Sequence, residues 1–283
     1  MALIVGIHGI GQQYKGENVL RAVWLPALKD GLNRAGLRLD DGVDIACAFY
    51  GDLFRPKGTK GTEDPPYSAL DVDDPFEQEL LSAWAREAER IEDGAGLDGT
   101  TKGGRTPRTT QWALNVLSAS RFFVGLTQRA MVADLKQVRT YLNNSSIREQ
   151  VQTRVAEAVS PETRVMIGHS LGSVVAYEAL CAHPEWPVRT FVSLGSPLGI
   201  RNLIFDQLRP PPRDGCGAWP GRLERWTNVA DGGDVVALIK QLGPCFDARI
   251  RDELIHNGAT SHDVAPYLTA KETGHAIAAG LDR

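Results

Sequence analysis

The chain of 283 residues has no run of ~18 or more uncharged apolar residues, the least that a bilayer-spanning helix needs. It has no excess of positive charge either. Lys+Arg at 31 stand against Asp+Glu at 35, a formal net charge of −4. A basic face for sequence-independent nucleic-acid binding is therefore not expected. Cysteine is scarce: Cys47, Cys181, Cys216 and Cys245 are the four. None form Cys-x-x-Cys, and no Cys/His set has zinc spacing, so no metal is implied. They read as free thiols of a reducing compartment, with a Cys216–Cys245 bridge as the alternative. No basic stretch precedes Ala2-Leu3-Ile4-Val5 and no small-residue cleavage site follows it, so this run reads as a strand and not a signal peptide. The expectation is a soluble, cytoplasmic protein with no integral membrane segment.

What is there is the composition of a globular domain. Hydrophobic residues are 42% and charged residues 23%, which excludes a disordered, collagen-like or coiled-coil chain. No internal repeat is found. Residues 2–8 form a continuous apolar run, as in a strand buried on both faces of a parallel sheet. A helical pattern follows through Val19, Leu20, Val23, Trp24, Ala27, Leu28 and Leu32, then a strand over 43–50. The regular alternation then stops. Residues 51–75 read as irregular and 76–92 as a helix. Residues 93–109 are glycine-rich and expected to be mobile. Residues 109–142 read as a long helix or helix pair, and 146–159 as another helix.

Alternation resumes with strand 164–167 and helix 171–182. Strand 188–194, helix 199–208, a Pro/Gly loop over 209–221 and strand 223–229 come next. Strand 248–255 and one terminal helix over 263–281 complete the chain. The pattern predicts a single α/β domain over 1–283, a mostly parallel sheet of about six strands with helices on both faces. A helical insertion over 51–145 interrupts it. That insertion reads either as a cap or lid over a site, lining an acyl pocket, or as helices whose apolar stripe serves the core.

Gly168-His169-Ser170-Leu171-Gly172 lies between a predicted strand and a predicted helix, the context that a G-x-S-x-G turn requires. So tight a turn admits only small residues two before and two after the serine. Ser170 is thereby raised above the sheet edge at a helix N-terminus, where backbone N–H groups favour developing negative charge. His8-Gly9-Ile10-Gly11 ends the first strand. Two N–H donors are needed for a tetrahedral oxyanion. Leu171 is expected to supply one, and Ile10, or failing that Gly11, the other.

A nucleophilic serine needs a base, and the base needs an orienting carboxylate. In strand–turn–helix sites of this kind both follow the serine in the chain. Asp231-Gly232-Gly233-Asp234-Val235-Val236 offers the carboxylate, with Asp234 preferred over Asp231. His262, in a loop at a strand end, is preferred as base over His256; His275 falls within a helix and reads as structural.

These features together resemble the α/β-hydrolase superfamily, and within it the lipase/esterase-like branch. Gly195-Ser196-Pro197-Leu198 and Asn228…Asp234-Val235-Val236 are also similar to that branch. The resemblance covers 1–50 and 146–283. It implies Ser170 as nucleophile, Asp234 as acid and His262 as base. The chain departs from the larger members in lacking their antiparallel first strands, so a minimal sheet of about six strands is expected. The expected activity is hydrolysis of a carboxylic ester with a small-molecule or lipid-like acyl part, without cofactor. The same triad serves peptidases, amidases, thioesterases and acyltransferases, and a non-catalytic binding domain of this fold is the contrasting reading.

Overall fold

The computed structural model describes residues 2–37, 44–55, 67–92, 109–120 and 127–281. Its strands are β1 (Ile4–Ile7), β2 (Ile45–Ala48), β3 (Val165–His169), β4 (Thr190–Leu194), β5 (Arg225–Asp231) and β6 (Arg251–Ile255). They form one sheet in the order β2-β1-β3-β4-β5-β6, every pair parallel. The four strands with apolar neighbours on both sides are almost wholly buried, whereas the edge strand β6 is mostly half-exposed. This is why β1 and β3 read as unbroken apolar runs and β6 does not.

The helices are α1 (Glu17–Arg34), α2 (Pro75–Glu92), α3 (Thr110–Ala119), α4 (Gln128–Asn143), α5 (Ser145–Ala158), α6 (Leu171–Ala182), α7 (Val264–Thr269) and α8 (Lys271–Leu281). Strand alternation divides the core between the two faces. Ile4, Val165 and Ile167 meet Trp24 and Leu28 of α1, Tyr267 and Leu268 of α7 and Ile277 of α8. Val5, Ile7 and Met166 belong to the opposite cluster, with α5 and α6. Leu80, Leu81 and Trp84 of α2, Leu114 and Leu117 of α3, and Met131, Leu135 and Val138 of α4 are buried in that same cluster. The apolar stripe of the insertion is thus core. Truncating such a side chain to alanine costs about 2–5 kcal/mol.

A buried ion pair fastens this face. Arg148 of α5 meets both oxygens of Glu178 of α6, with Nε 2.9 Å from Oε2. Tyr141 donates to the same carboxylate at 2.6 Å, and the Leu142 and Gln207 carbonyls accept two further Arg148 N–H groups. A buried pair is tolerated only when its spare donors and acceptors are satisfied in this way.

Several expectations change in detail. Residues 199–208 hold no α-helix, only a 3-10 turn at Phe205–Gln207. Asn202 takes a left-handed φ of 63°, and its N–H is held by Asp206 Oδ2 at 2.5 Å, which turns the chain instead of propagating a helix. The terminal helix is two helices, broken where Ala270 is extended. Residues 109–142 are the pair α3 and α4, with 121–126 outside the described residues. The glycine-rich lid segment also lies outside them, apart from Thr109, which caps α3. Residues 51–75 contain 3-10 turns at Gly51–Phe54 and Ala69–Asp71. All four cysteines are free thiols, so Cys216 and Cys245 are not bridged. Among the described residues no helix is long and apolar enough to cross a membrane.

Candidate active site

Ser170 stands between the last residue of β3 and the first of α6, with φ 54° and ψ −131°. A side chain is rarely tolerated there, at a cost of about 1–3 kcal/mol, so the surroundings must hold it. Ser170 N–H donates to the Leu194 carbonyl of β4 at 2.9 Å. Its carbonyl accepts from Ser173 N–H at 2.9 Å and Ser173 Oγ at 2.6 Å. Ser173 Oγ is in turn 2.7 Å from Ser196 Oγ. Gly172 is dictated by crowding: a Cβ there would lie 2.2 Å from the Ile7 carbonyl oxygen.

His262 follows β6 in the loop before α7. Its Nε2 is 3.0 Å from Ser170 Oγ, and its Nδ1 is 2.8 Å from Asp234 Oδ2. With an ionised carboxylate on Nδ1, that nitrogen carries the proton and Nε2 is left to accept from the serine. Asp234 is fully buried. Its Oδ1 accepts from Val236 N–H at 2.9 Å and Ala237 N–H at 3.3 Å, and its Oδ2 also accepts from Tyr267 O–H at 2.8 Å. Burial alone would raise this carboxyl. The charge and hydrogen bond of His262, with Lys240 and the Tyr267 hydroxyl, outweigh burial and hold it at about 2. Gly195 makes the meeting possible: with φ +53°, a Cβ there would lie 2.8 Å from Asp234 Oδ2 and 3.3 Å from His262 Nδ1.

The other candidates are placed elsewhere. Asp231 braces its own turn, accepting from Gly233 N–H at 2.6 Å and from Asn257 N–H. His256 and His275 are exposed, and neither lines the cavity that holds Ser170. Gly11 N–H is directed to Gln137 Oε1 at 3.4 Å, and Ile10 lines the cavity beside Ser170. Leu171 opens α6, so its N–H has no acceptor within its own helix.

Sequence reasoning missed the groups that aim these parts. His8 is one. Tyr50 N–H donates to its Nε2 at 3.2 Å, so Nδ1 bears the proton and donates to the Gly9 carbonyl at 2.7 Å. A trans peptide sets C=O and N–H on opposite sides. Drawing the Gly9 carbonyl toward His8 therefore turns the Ile10 N–H the other way. The same Gly9 lies against the nucleophile: a Cβ on it would be 2.6 Å from Ser170 Cβ. Burial lowers His8 to about 4 despite its bond to Gly9, and it stays neutral. His169 Nε2 is 2.8 Å from the His262 carbonyl and pins the loop of the base. Burial, reinforced by the neighbouring His262, lowers it to about 3. Tyr267 accepts from Asp231 N–H at 2.8 Å while donating to Asp234. Lys240 Nζ donates to the Asp234 carbonyl. The signal for His8 was its neighbour Gly9. Tyr267 gave none beyond an aromatic on an apolar stripe.

A cavity of about 430 Å³ opens beside Ser170 and His262. Trp84, Leu117, Met131 and Asp134 of the insertion line it, with Val236 and Val264. Among the described residues no three His, Cys, Asp or Glu side chains gather to hold a metal ion. A hydroxyl in reach of a neutral imidazole, itself bound to a buried carboxylate, can deliver its proton and attack an electrophilic carbon. The chain matches no family model and no curated protein.

Proposed function

We propose that this chain is a serine hydrolase that cleaves carboxylic esters through an acyl-enzyme on Ser170. The carrying observation is the relay Ser170 Oγ–His262 Nε2 at 3.0 Å and His262 Nδ1–Asp234 Oδ2 at 2.8 Å, set on a strained strand-to-helix turn. Ser170 attacks the ester carbonyl while His262 takes its proton. Asp234 keeps the imidazole in its tautomer and stabilises the cation. The N–H groups of Ile10 and Leu171 receive the oxyanion. His262 then protonates the departing alkoxide, and a water molecule deprotonated by His262 releases the acid and restores Ser170.

The strand order supports kinship with the α/β-hydrolase superfamily, lipase/esterase-like branch, since the serine, carboxylate and histidine follow β3, β5 and β6 of one parallel sheet in that order. The apolar cavity wall of Trp84, Leu117, Met131 and Val236 favours a substrate with an apolar acyl part, small or lipid-like. No cofactor enters these steps. Four free thiols suit a cytoplasmic setting.

The test is fluorophosphonate labelling of wild type and Ser170→Ala, read by intact mass. One adduct on wild type and none on the variant is expected. An equal adduct on both, or none on either, overturns the assignment and favours a binding domain. A series of ester, thioester and amide substrates of graded chain length then ranks the leaving groups.

A further inference from the structure

The cavity beside Ser170 contains a carboxyl that the relay does not use. Asp134 reaches it from α4, a helix of the insertion. Its Oδ1 accepts from Gln137 Nε2 at 3.2 Å and lies 3.7 Å from where a Cβ on Gly11 would stand. The group is therefore at the oxyanion-loop side of the cavity, within a turn of Gln137, which meets Gly11. Among the described residues no lysine or arginine forms an ion pair with it. The other charged cavity residues, Lys15 and Asp263, are exposed, and His262 is engaged by Asp234.

We propose that Asp134 is a specificity residue that seats a cationic, ammonium-bearing group of the substrate beside Ser170. This rests on the reading of Ser170 as nucleophile and names the substrate class of that site. The carboxyl is half-buried and holds a single hydrogen bond, from Gln137, with no cation paired to it among the described residues. Burial raises this carboxyl to about 7, opposed by His262 and by the Gln137 hydrogen bond. A carboxylate that is costly to keep ionised alone gains most from a cation brought into contact with it. Trp84, in the same lining, adds an aromatic wall that accepts a cation as well as hydrocarbon. An anion left unpaired here would oppose the oxyanion, whereas an ammonium on the substrate neutralises it as the substrate binds. A carboxyl that served only to hold Gln137 would be indifferent to ligand charge.

The experiment uses two fluorophosphonates of one shape, one ending in trimethylammonium and the other in tert-butyl. Second-order rates of adduct formation are measured by intact mass on wild type, Asp134→Asn and Asp134→Glu. Asparagine keeps the acceptor for Gln137 and removes the charge; glutamate keeps the charge. Wild type is expected to prefer the cationic probe about tenfold, the scale of one quaternary ammonium held by charge and by an aromatic face. Asp134→Asn should bring the ratio near one, Asp134→Glu should retain a preference, and added salt should shrink the wild-type ratio. A ratio near one in wild type overturns the proposal. So does a ratio unchanged in Asp134→Asn, including one where both rates fall together. These outcomes leave Ser170 as nucleophile intact. No adduct from either probe overturns the Ser170 reading, and this proposal with it.

Discussion

Replacing Tyr267 with phenylalanine removes one oxygen from a fully buried ring and should separate support from chemistry at this site. The hydroxyl makes two hydrogen bonds of 2.8 Å, accepting from Asp231 N–H and donating to Asp234 Oδ2. The second is charge-assisted, and such bonds contribute about 1.5–3 kcal/mol. Its loss also strands a buried backbone N–H, which costs about 1–3 kcal/mol. The two losses overlap, because the Asp231 turn can relax, so about 2–4 kcal/mol of destabilisation is expected. For a chain of this size that lowers Tm by roughly 3–7 °C.

The effect on reactivity should be much smaller. Asp234 keeps His262, Val236 N–H and Ala237 N–H. Losing one donor raises its pKa from about 2, which still leaves it ionised near neutrality. The rate of fluorophosphonate labelling at pH 7.5 should therefore fall only a few-fold, with the acidic limb of its pH profile little moved. Urea unfolding, a thermal scan and the labelling rate across pH check all three. A Tyr267→Phe protein with unchanged stability would refute the hydrogen-bond accounting. One that labelled a thousandfold more slowly while as stable as wild type would refute the division between support and chemistry.

Two further outcomes follow from the buried histidines. His8→Phe keeps a ring against Tyr50, now 4.0 Å away centroid to centroid, but frees the Gly9 carbonyl. Labelling of Ser170 should slow about 10- to 100-fold, short of the full loss of an oxyanion donor, and an unchanged rate would remove His8 from the site. Stability should also rise with pH between about 4 and 6.5. His8 and His169, lowered to about 4 and about 3, are neutral when folded but take up protons when unfolded in that window. Asp134, raised to about 7, works the other way by holding one proton in the folded state. Near pH 5 the unfolded state therefore binds about one proton more, a slope of about 1.4 kcal/mol per pH unit that flattens toward pH 6.5. Urea titrations at pH 5, 6 and 7 measure it, and a flat or falling trend from 5 to 6.5 would contradict it.

The readable parts of the sequence were those set by local sterics or strand alternation. Gly168 and Gly172 mark the Ser170 turn because the close approach happens within a few residues of the serine. The sheet was legible because β1, β3 and β4 are buried on both faces. Three-dimensional closure decided what sequence left open. Asp231 and Asp234 share one turn, and only the position of Gly195, just after β4, shows which carboxylate His262 meets. The break between α7 and α8 falls at Ala270, with neither glycine nor proline to announce it, and it allows Tyr267 to reach Asp234 while α8 runs against α1. Residues 199–208 read as helical, but Asp206 caps Asn202 and a tight turn wins. Gln137 and Asp134 lie on the stretch 109–142, where nothing in the sequence sets them apart from its other polar residues.

The placement of these groups suggests a division of labour. His8 follows β1, Ser170 follows β3, Gly195 follows β4, Asp234 follows β5 and His262 follows β6, so each piece of the relay sits at the carboxyl edge of one parallel sheet. Adjacent strands stand about 4.8 Å apart, so their register carries each side chain to its partner with little freedom. The insertion contributes nothing to the relay. It contributes cavity wall, through Trp84, Leu117 and Met131, and the two polar groups Gln137 and Asp134. Its own stability is tied to the sheet through the shared apolar cluster, so it is a fixed wall where α2, α3 and α4 stand. Substitutions along the sheet edge should therefore change how fast Ser170 reacts with every probe. Substitutions on the cavity side of α2, α3 and α4 should change which probe it reacts with, and Gln137, which meets Gly11, is the one insertion residue placed to do both.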